Sequence, residues 1–354
     1  MTQTLAIFLD AYRDLNSRKL FWLSIFISFV VVAVVAALGI DEQGVTVLGW
    51  RFPSKFVNTL FFPPETYYKL IFQSLGIDIW LTWLAAILAL VSTAGIIPDM
   101  IAGGSIDMML SKPIGRTRLF LTRWVTGLFF AGIQAAVFVT SSFLVIGLRG
   151  GAWEPGLFIA VPVVVVFFSY LYAVSALVGI LTRSAIASLI ITLVLWLMLF
   201  GVQSAEGFLN AGRIATALEV EAIERQIAVR LERNADADVE SLRTELESEQ
   251  ASLSRWNRGY WPAYALVTVL PKTDETTEWL KRELVRNASF RPPARDDENL
   301  RFFGSRRVKR KDFEAALYED AESRKGALWS IGTSVAFEAA LLFACTWIFR
   351  RRDF

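Results

Sequence analysis

The sequence predicts an all-α polytopic membrane protein: six transmembrane helices, an N-terminal amphipathic helix, and a helical-hairpin extracytoplasmic insertion between helices five and six. Three observations carry that prediction. The 354-residue chain is 54% hydrophobic and 20% charged, an apolar share unusual for a water-soluble protein of this length. It contains six long apolar runs almost free of charge. Its charges are also segregated: residues 204–325 hold 44 of the 70 acidic and basic side chains, and the other 232 residues hold 26. One part suits lipid and the other suits water.

The elements follow in order. Residues 1–19 place Leu5, Phe8, Tyr12 and Leu15 at helical spacing, which suits a helix lying on a membrane surface. Crossing a hydrocarbon core of roughly 30 Å takes about 20 apolar residues, and runs near that length occur at Leu20–Ile40, Ile79–Ile97, Trp124–Leu148, Leu157–Leu181, Ala185–Val202 and Leu328–Phe349. Only the last contains an ionisable residue, Glu338. Val35-Ala36-Ala37 is similar to a signal-peptide cleavage site, but the run is too long and the residues before it mix acid with base. The chain thus divides into the N-terminal helix, a membrane part at 20–203 with a loop at 98–123, an insertion at 204–326, and a last span with a basic tail at 327–354.

Lys and Arg in short loops resist translocation. With both termini cytoplasmic, the inner segments hold Arg13, Arg18, Lys19, Lys112, Arg116, Arg118, Arg123, Arg183, Arg350, Arg351 and Arg352, against Arg51, Lys55, Lys69 and Arg149 outside. That bias places 204–326 outside. A basic run at 306–311 argues the other way, but long loops cross largely regardless of charge.

Within the insertion, Ala217, Val220, Ile223, Ile227 and Leu231 share one helical face, and Val239, Leu242, Leu246, Leu253 and Trp256 share another. A polar turn at 234–238 between them reads as a helical hairpin. Narrow stripes suit packing against something further, such as a second copy. The aromatic Trp261-Pro262-Ala263-Tyr264 reads as an interfacial or re-entrant piece. A helix capped at Thr273 or Asp274 and a charged helix near 311–323 complete the insertion.

Composition excludes much. Lys plus Arg number 36 and Asp plus Glu 34, without the basic excess of a nucleic-acid partner. There is no histidine and only one cysteine, Cys345, which removes the usual general base, thiolate zinc and disulfides. No catalytic, cofactor-binding or metal-binding residue is assigned.

The loop between the second and third spans carries the most specific pattern. Ser105 suits an N-cap, Asp107 complements the helix dipole and Pro113 stops the helix. Its apolar face of Ile106, Met109 and Leu110 either covers the membrane surface or seats in a protein groove. Gly104, Ser105, Ile106, Asp107, Met109, Leu110, Ser111, Lys112, Pro113, Ile114 and Arg116 together resemble a segment of the membrane permeases of ABC type-2 transporters. In that family the segment is a coupling helix seated on the ATP-binding subunit. The chain departs from the family at Met100, Ala102 and Gly103, where Glu and Arg are frequent. The resemblance implies a permease that pairs with a second permease copy and with ATP-binding subunits holding ATP and Mg²⁺. Consistently, no G-x-x-x-x-G-K-[ST] occurs in the chain, so no P-loop lies within it.

Glu338 lies within the sixth span, where an ionisable group is costly. Gln134, Tyr170 and Tyr172 on the third and fourth spans are its expected hydrogen-bond partners. It either glues helices together or lines a substrate or proton path. Three functions stay open: an exporter permease in the cell membrane, a non-transporting scaffold or mechanotransmission protein acting through the hairpin, and, weakest for want of a nucleophile–base pairing, a membrane enzyme.

Overall fold

A computed structural model describes residues 19–53, 63–102, 115–233, 238–287 and 308–351, with positions 9, 13, 16 and 59. The amphipathic stretch through Leu5, Phe8, Tyr12 and Leu15, the coupling residues Ser105 to Pro113, the turn at 234–237 and the tail beyond 351 lie outside the described residues.

In chain order the elements are α1 (Lys19–Ala37), β1 (Leu38–Asp41), β2 (Gly44–Val47), β3 (Trp50–Pro53), α2 (Pro64–Ile101), α3 (Arg116–Gly150), α4 (Pro155–Thr182), α5 (Ala185–Arg233), α6 (Glu240–Val269), α7 (Thr273–Asn287), α8 (Arg310–Arg324) and α9 (Leu328–Arg351). Six of them, α1 to α5 and α9, are long and apolar enough to cross a membrane. Each overlaps one of the apolar runs read from the sequence.

The all-α expectation is corrected between α1 and α2. The first apolar run does not stay helical to Ile40: residues 38–53 form a three-stranded antiparallel meander in the order β1-β2-β3. Leu38 faces Val47 and Val47 faces Trp50 in its register. Gly39 sits opposite Thr46, where a Cβ would come within 2.4 Å of the Thr46 Oγ1, so a larger residue there would displace the Thr46 side chain. At the first turn the Asp41 carboxylate accepts the N–H groups of Gln43 at 2.9 Å and Gly44 at 3.0 Å. At the second, Leu48 (φ 51°) and Gly49 (φ 88°) are both left-handed, the geometry of a type I′ hairpin in which Asn-Gly is preferred. A leucine there costs roughly 1 kcal/mol.

The chain divides into two compact units: 1–197 with 273–292 and 335–354, and 198–272 with 293–334. The first unit packs in two apolar clusters. One joins Phe21, Ile96 to Ile101, Leu119, Phe120, Ile180 and Phe349. The other joins Val32, Tyr68, Phe72, Ile77, Ala135, Ile146, Leu157 and Val164. Starts and ends of successive spans therefore alternate between two levels. The start of α1, the end of α2, the start of α3 and the end of α9 share one level, and the sheet lies at the other. Windows of α2 and α4 are 61% buried, against 22% for α1 and α5 and 17% for α9, which makes α2 and α4 the interior helices.

Within α2, residues Phe72–Ala85 wind in the wider i→i+5 register of a π-helix. The Thr82 hydroxyl donates to the Ile77 carbonyl, five residues back, at 2.8 Å. Phe72, Gly76, Ile77, Trp80, Leu81, Thr82 and Ala85 are the buried positions of this stretch.

A second correction concerns 204–326, read from its charge as one block. The helix α7 belongs to the first unit. Its Leu280 and Leu284 are buried in the cluster of Phe72 and Trp80, and Lys281 Nζ lies 2.5 Å from both Asp78 and Glu278. Net charge hid an amphipathic helix with a docking face.

In the second unit, the part of α5 beyond 198 and α6 run antiparallel. Phe208 meets Trp256 edge to face at 5.9 Å, the Arg213 guanidinium lies 4.8 Å from the Tyr260 ring centre, and Gln203 Nε2 donates to the Pro271 carbonyl at 3.0 Å. The stretch around Pro262 is continuous helix within α6, not a re-entrant loop. Val308 and Phe313 at the start of α8 pack on Ile214 and Ala215.

A Cβ at Gly212 would come within 2.8 Å of the Trp256 ring. Gly212→Ala is therefore expected to destabilise the α5–α6 packing by about 1–3 kcal/mol, read as a lower thermal unfolding midpoint in detergent. Gly201→Ala, in open space, removes a helix-interior glycine and should hold or raise that midpoint.

Candidate functional site

Two polar assemblies stand out among the described residues: one inside the helical bundle of the first unit, one in the second unit. In the first, α9 turns Glu338, Cys345 and Phe349 inward and leaves Val335, Phe343 and Trp347 exposed. The buried Glu338 Oε2 lies 2.8 Å from the Ser169 Oγ on α4, which is also 2.8 Å from the Val166 carbonyl. Ser169 has one proton for two acceptors.

The expected partners of Glu338 are corrected by this geometry. Ser169, unmarked in the sequence reading, is the one side chain among the described residues that hydrogen-bonds it. Gln134 on α3 donates instead to the Ala85 carbonyl of α2 at 3.4 Å, and its Oε1 has no hydrogen-bond partner among the described residues. It borders a cavity of about 10 Å³ lined by Leu81, Ala89, Ala131, Val164 and Phe168. Tyr172 stacks between Trp124 at 6.4 Å and Phe168 at 5.5 Å. A Cβ on Gly127 would come within 2.5 Å of its ring, so α3 and α4 approach closely there. Tyr170 is fully buried in α4. Gln134, Tyr170, Tyr172 and Glu338 are all buried in the bundle of the first unit.

Of the proposed coupling residues, only Arg116 is among the described ones. It begins α3 after the extended Gly115, and its Nη1 donates to the Arg350 carbonyl at 3.5 Å. The start of α3 and the end of α9 thus meet, beside the Phe120–Phe349 ring contact at 5.9 Å.

The second assembly was not anticipated. Lys325 Nζ lies 2.7 Å from Glu206 Oε2 with both side chains buried. Arg213 Nη2 is 2.7 Å from Asp320 Oδ1, and Asn210 bridges the two, donating to Asp320 at 3.0 Å and accepting from Arg213 at 2.9 Å. Lys272 Nζ donates to the Thr268 and Leu270 carbonyls and to Thr333, and lies 4.5 Å from the centre of the Trp329 ring. Tyr264 stacks on that ring at 5.3 Å. Burial, then the carboxylates of Glu206 and Asp320, push the Tyr260 hydroxyl from 10.0 up to about 12. One signal was available: Glu206 closely follows the fifth apolar run and Lys325 closely precedes the sixth, opposite charges at the two mouths of one insertion.

Comparison with models of protein families, with curated proteins and with solved structures finds no match to the chain. Among the described residues no three metal-ligating side chains converge. What the geometry offers is buried acid held by a hydroxyl, and caged ion pairs.

Ser169→Ala leaves the Glu338 carboxyl buried without its partner, a loss of about 1–3 kcal/mol, whereas replacing both partners with apolar groups should restore much of it. Unfolding of the single variants and of the Ser169→Ala/Glu338→Leu pair measures the coupling. For Tyr260 the sign is fixed: its folded value lies above 10.0, so its contribution is whole below that pH and is lost as pH rises toward about 12. Tyr260→Phe should flatten this alkaline fall in unfolding midpoint while changing little at neutral pH.

Proposed function

We propose that the chain is the permease subunit of an ABC type-2 exporter in a bacterial cell membrane, with both termini cytoplasmic. A separate subunit hydrolyses ATP, and two permease copies form the path of an unknown substrate. The observation that carries this reading is the segment from Gly104 to Arg116, whose residue order suits a short helix seated in a partner's groove. Its flanks support it. The segment leaves α2 beside Ile97 and Ile101 and enters α3 beside Leu119 and Phe120, at the level where Phe21 and Phe349 also pack. A push delivered there reaches the ends of four spans at once, the kind of rigid-element shift that switches transport proteins.

A second reading, mechanotransmission without substrate movement, is favoured by one observation. Helix α5 continues for 49 residues without interruption, more than twice the roughly 20 that crossing a hydrocarbon core takes.

Purification in mild detergent from the native membrane is expected to recover a P-loop protein whose ATP hydrolysis depends on this chain, with that dependence lost in Asp107→Lys. Recovery of the chain without any P-loop protein would sink the transporter reading. Hydrolysis that is coupled to the chain but moves no substrate would favour the second.

A further inference from the structure

We infer that the β1–β3 sheet is a lipid anchor, with Leu48, Trp50 and Phe52 inserted among the headgroups of the leaflet where α1 ends. The level of the sheet is set by hydrogen bonds. The carbonyl of Leu38, the residue after α1, accepts the Tyr68 hydroxyl at 2.7 Å and Arg149 Nη2 at 3.5 Å, and Arg149 Nε donates to the same hydroxyl at 3.1 Å. The end of α1, the start of α2 and the end of α3 are thus tied together at one height. Trp153, half exposed and packed edge-on against Phe143 at 5.3 Å, follows closely in sequence. Tyr, Trp and Arg at span ends mark the boundary between hydrocarbon and water.

From that boundary the sheet projects three large apolar side chains: Leu48 is 79% exposed, Trp50 77% and Phe52 55%. Trp50 and Phe52 alternate onto one face of the edge strand β3. Arg51 takes the other face, 3.4 Å from Asp41 and still largely exposed, in reach of lipid phosphate. The outward side of α1, which leads into the sheet, leaves Phe26, Phe29 and Val34 exposed as well. Leu48 at a left-handed turn position adds to the case, because the backbone there prefers asparagine and an apolar tip stands at a conformational cost. Aromatic rings flanked by a cation suit the headgroup zone, where the rings sit at the boundary and the cation meets lipid phosphate. The inference rests on the membrane reading and not on any ATPase.

The test uses the full chain carrying Cys345→Ala with Trp50→Cys, Glu42→Cys or Phe29→Cys, each labelled with a fluorophore in phosphatidylcholine nanodiscs. The quenchers are iodide in water and phosphatidylcholine spin-labelled near the top of the acyl chain. Position 50 should be quenched by the lipid roughly twofold or more above position 42, and by iodide correspondingly less, as for an interfacially buried group. Iodide quenching at 50 equal to that at 42 overturns the anchor. So does shielding of position 50 from both quenchers, the signature of a protein cover. Phe29 separates the two levels of inference: mid-chain spin-labelled lipid must quench it, and failure there overturns the membrane reading itself.

Discussion

Hydrocarbon offers no hydrogen bonds, so a polar group inside the bundle is stabilised by a partner within the protein. Several serine and threonine hydroxyls find one by folding back on their own helices. Ser28 donates to the Ser24 carbonyl, Thr93 to Ala89, Thr126 to Thr122 and Thr192 to Ser188, all within 2.9 Å. Such local closure leaves the few polar groups that reach across helices to specify which helices meet. Ser175 and Ser188 join α4 to α5 at 2.8 Å, Gln134 joins α3 to α2, and Ser169 joins α4 to α9. Apolar packing supplies the driving force but is indifferent to partner. These contacts make the arrangement unique.

The same constraint shapes the second unit, where the currency is charge instead of hydroxyls. Glu206 and Lys325 are sequestered together, and removing either would strand the other, a loss of about 3–5 kcal/mol for pairs of this kind. Lys272 is satisfied by carbonyls, a hydroxyl and an aromatic face. A region with almost balanced acid and base is therefore more than a solvated surface. Its exposed charges keep it soluble, and its buried ones hold the helices in place.

The spans were legible because an uncharged run of such length has few other readings, and each of the six overlaps a helix. The sheet was not, because four-residue strands directly after an apolar run extend its composition without changing it. Glu338 stood out by position, yet its partner did not, since the sequence says nothing of which helix faces which. Ser169 is one hydroxyl among many. The stripe at Leu280 and Leu284 was masked by the surrounding charge, and only the neighbouring cluster explains why it is buried. The register of Phe72–Ala85 was invisible for a different reason: whether a backbone closes on the fourth or the fifth residue leaves no mark in composition.

That wide-wound stretch has an evolutionary meaning. A π-turn holds one more residue than the α-turn it replaces, so Phe72–Ala85 stores surplus chain inside a continuous helix. A lineage that loses one residue there needs only to tighten a single turn, and everything beyond keeps its facing. The same loss in α3, wound without slack between Arg116 and Val145, would rotate each later side chain away from its neighbour. Loss of one residue is accordingly better absorbed in the Phe72–Ala85 stretch of α2 than in the α-wound body of α3.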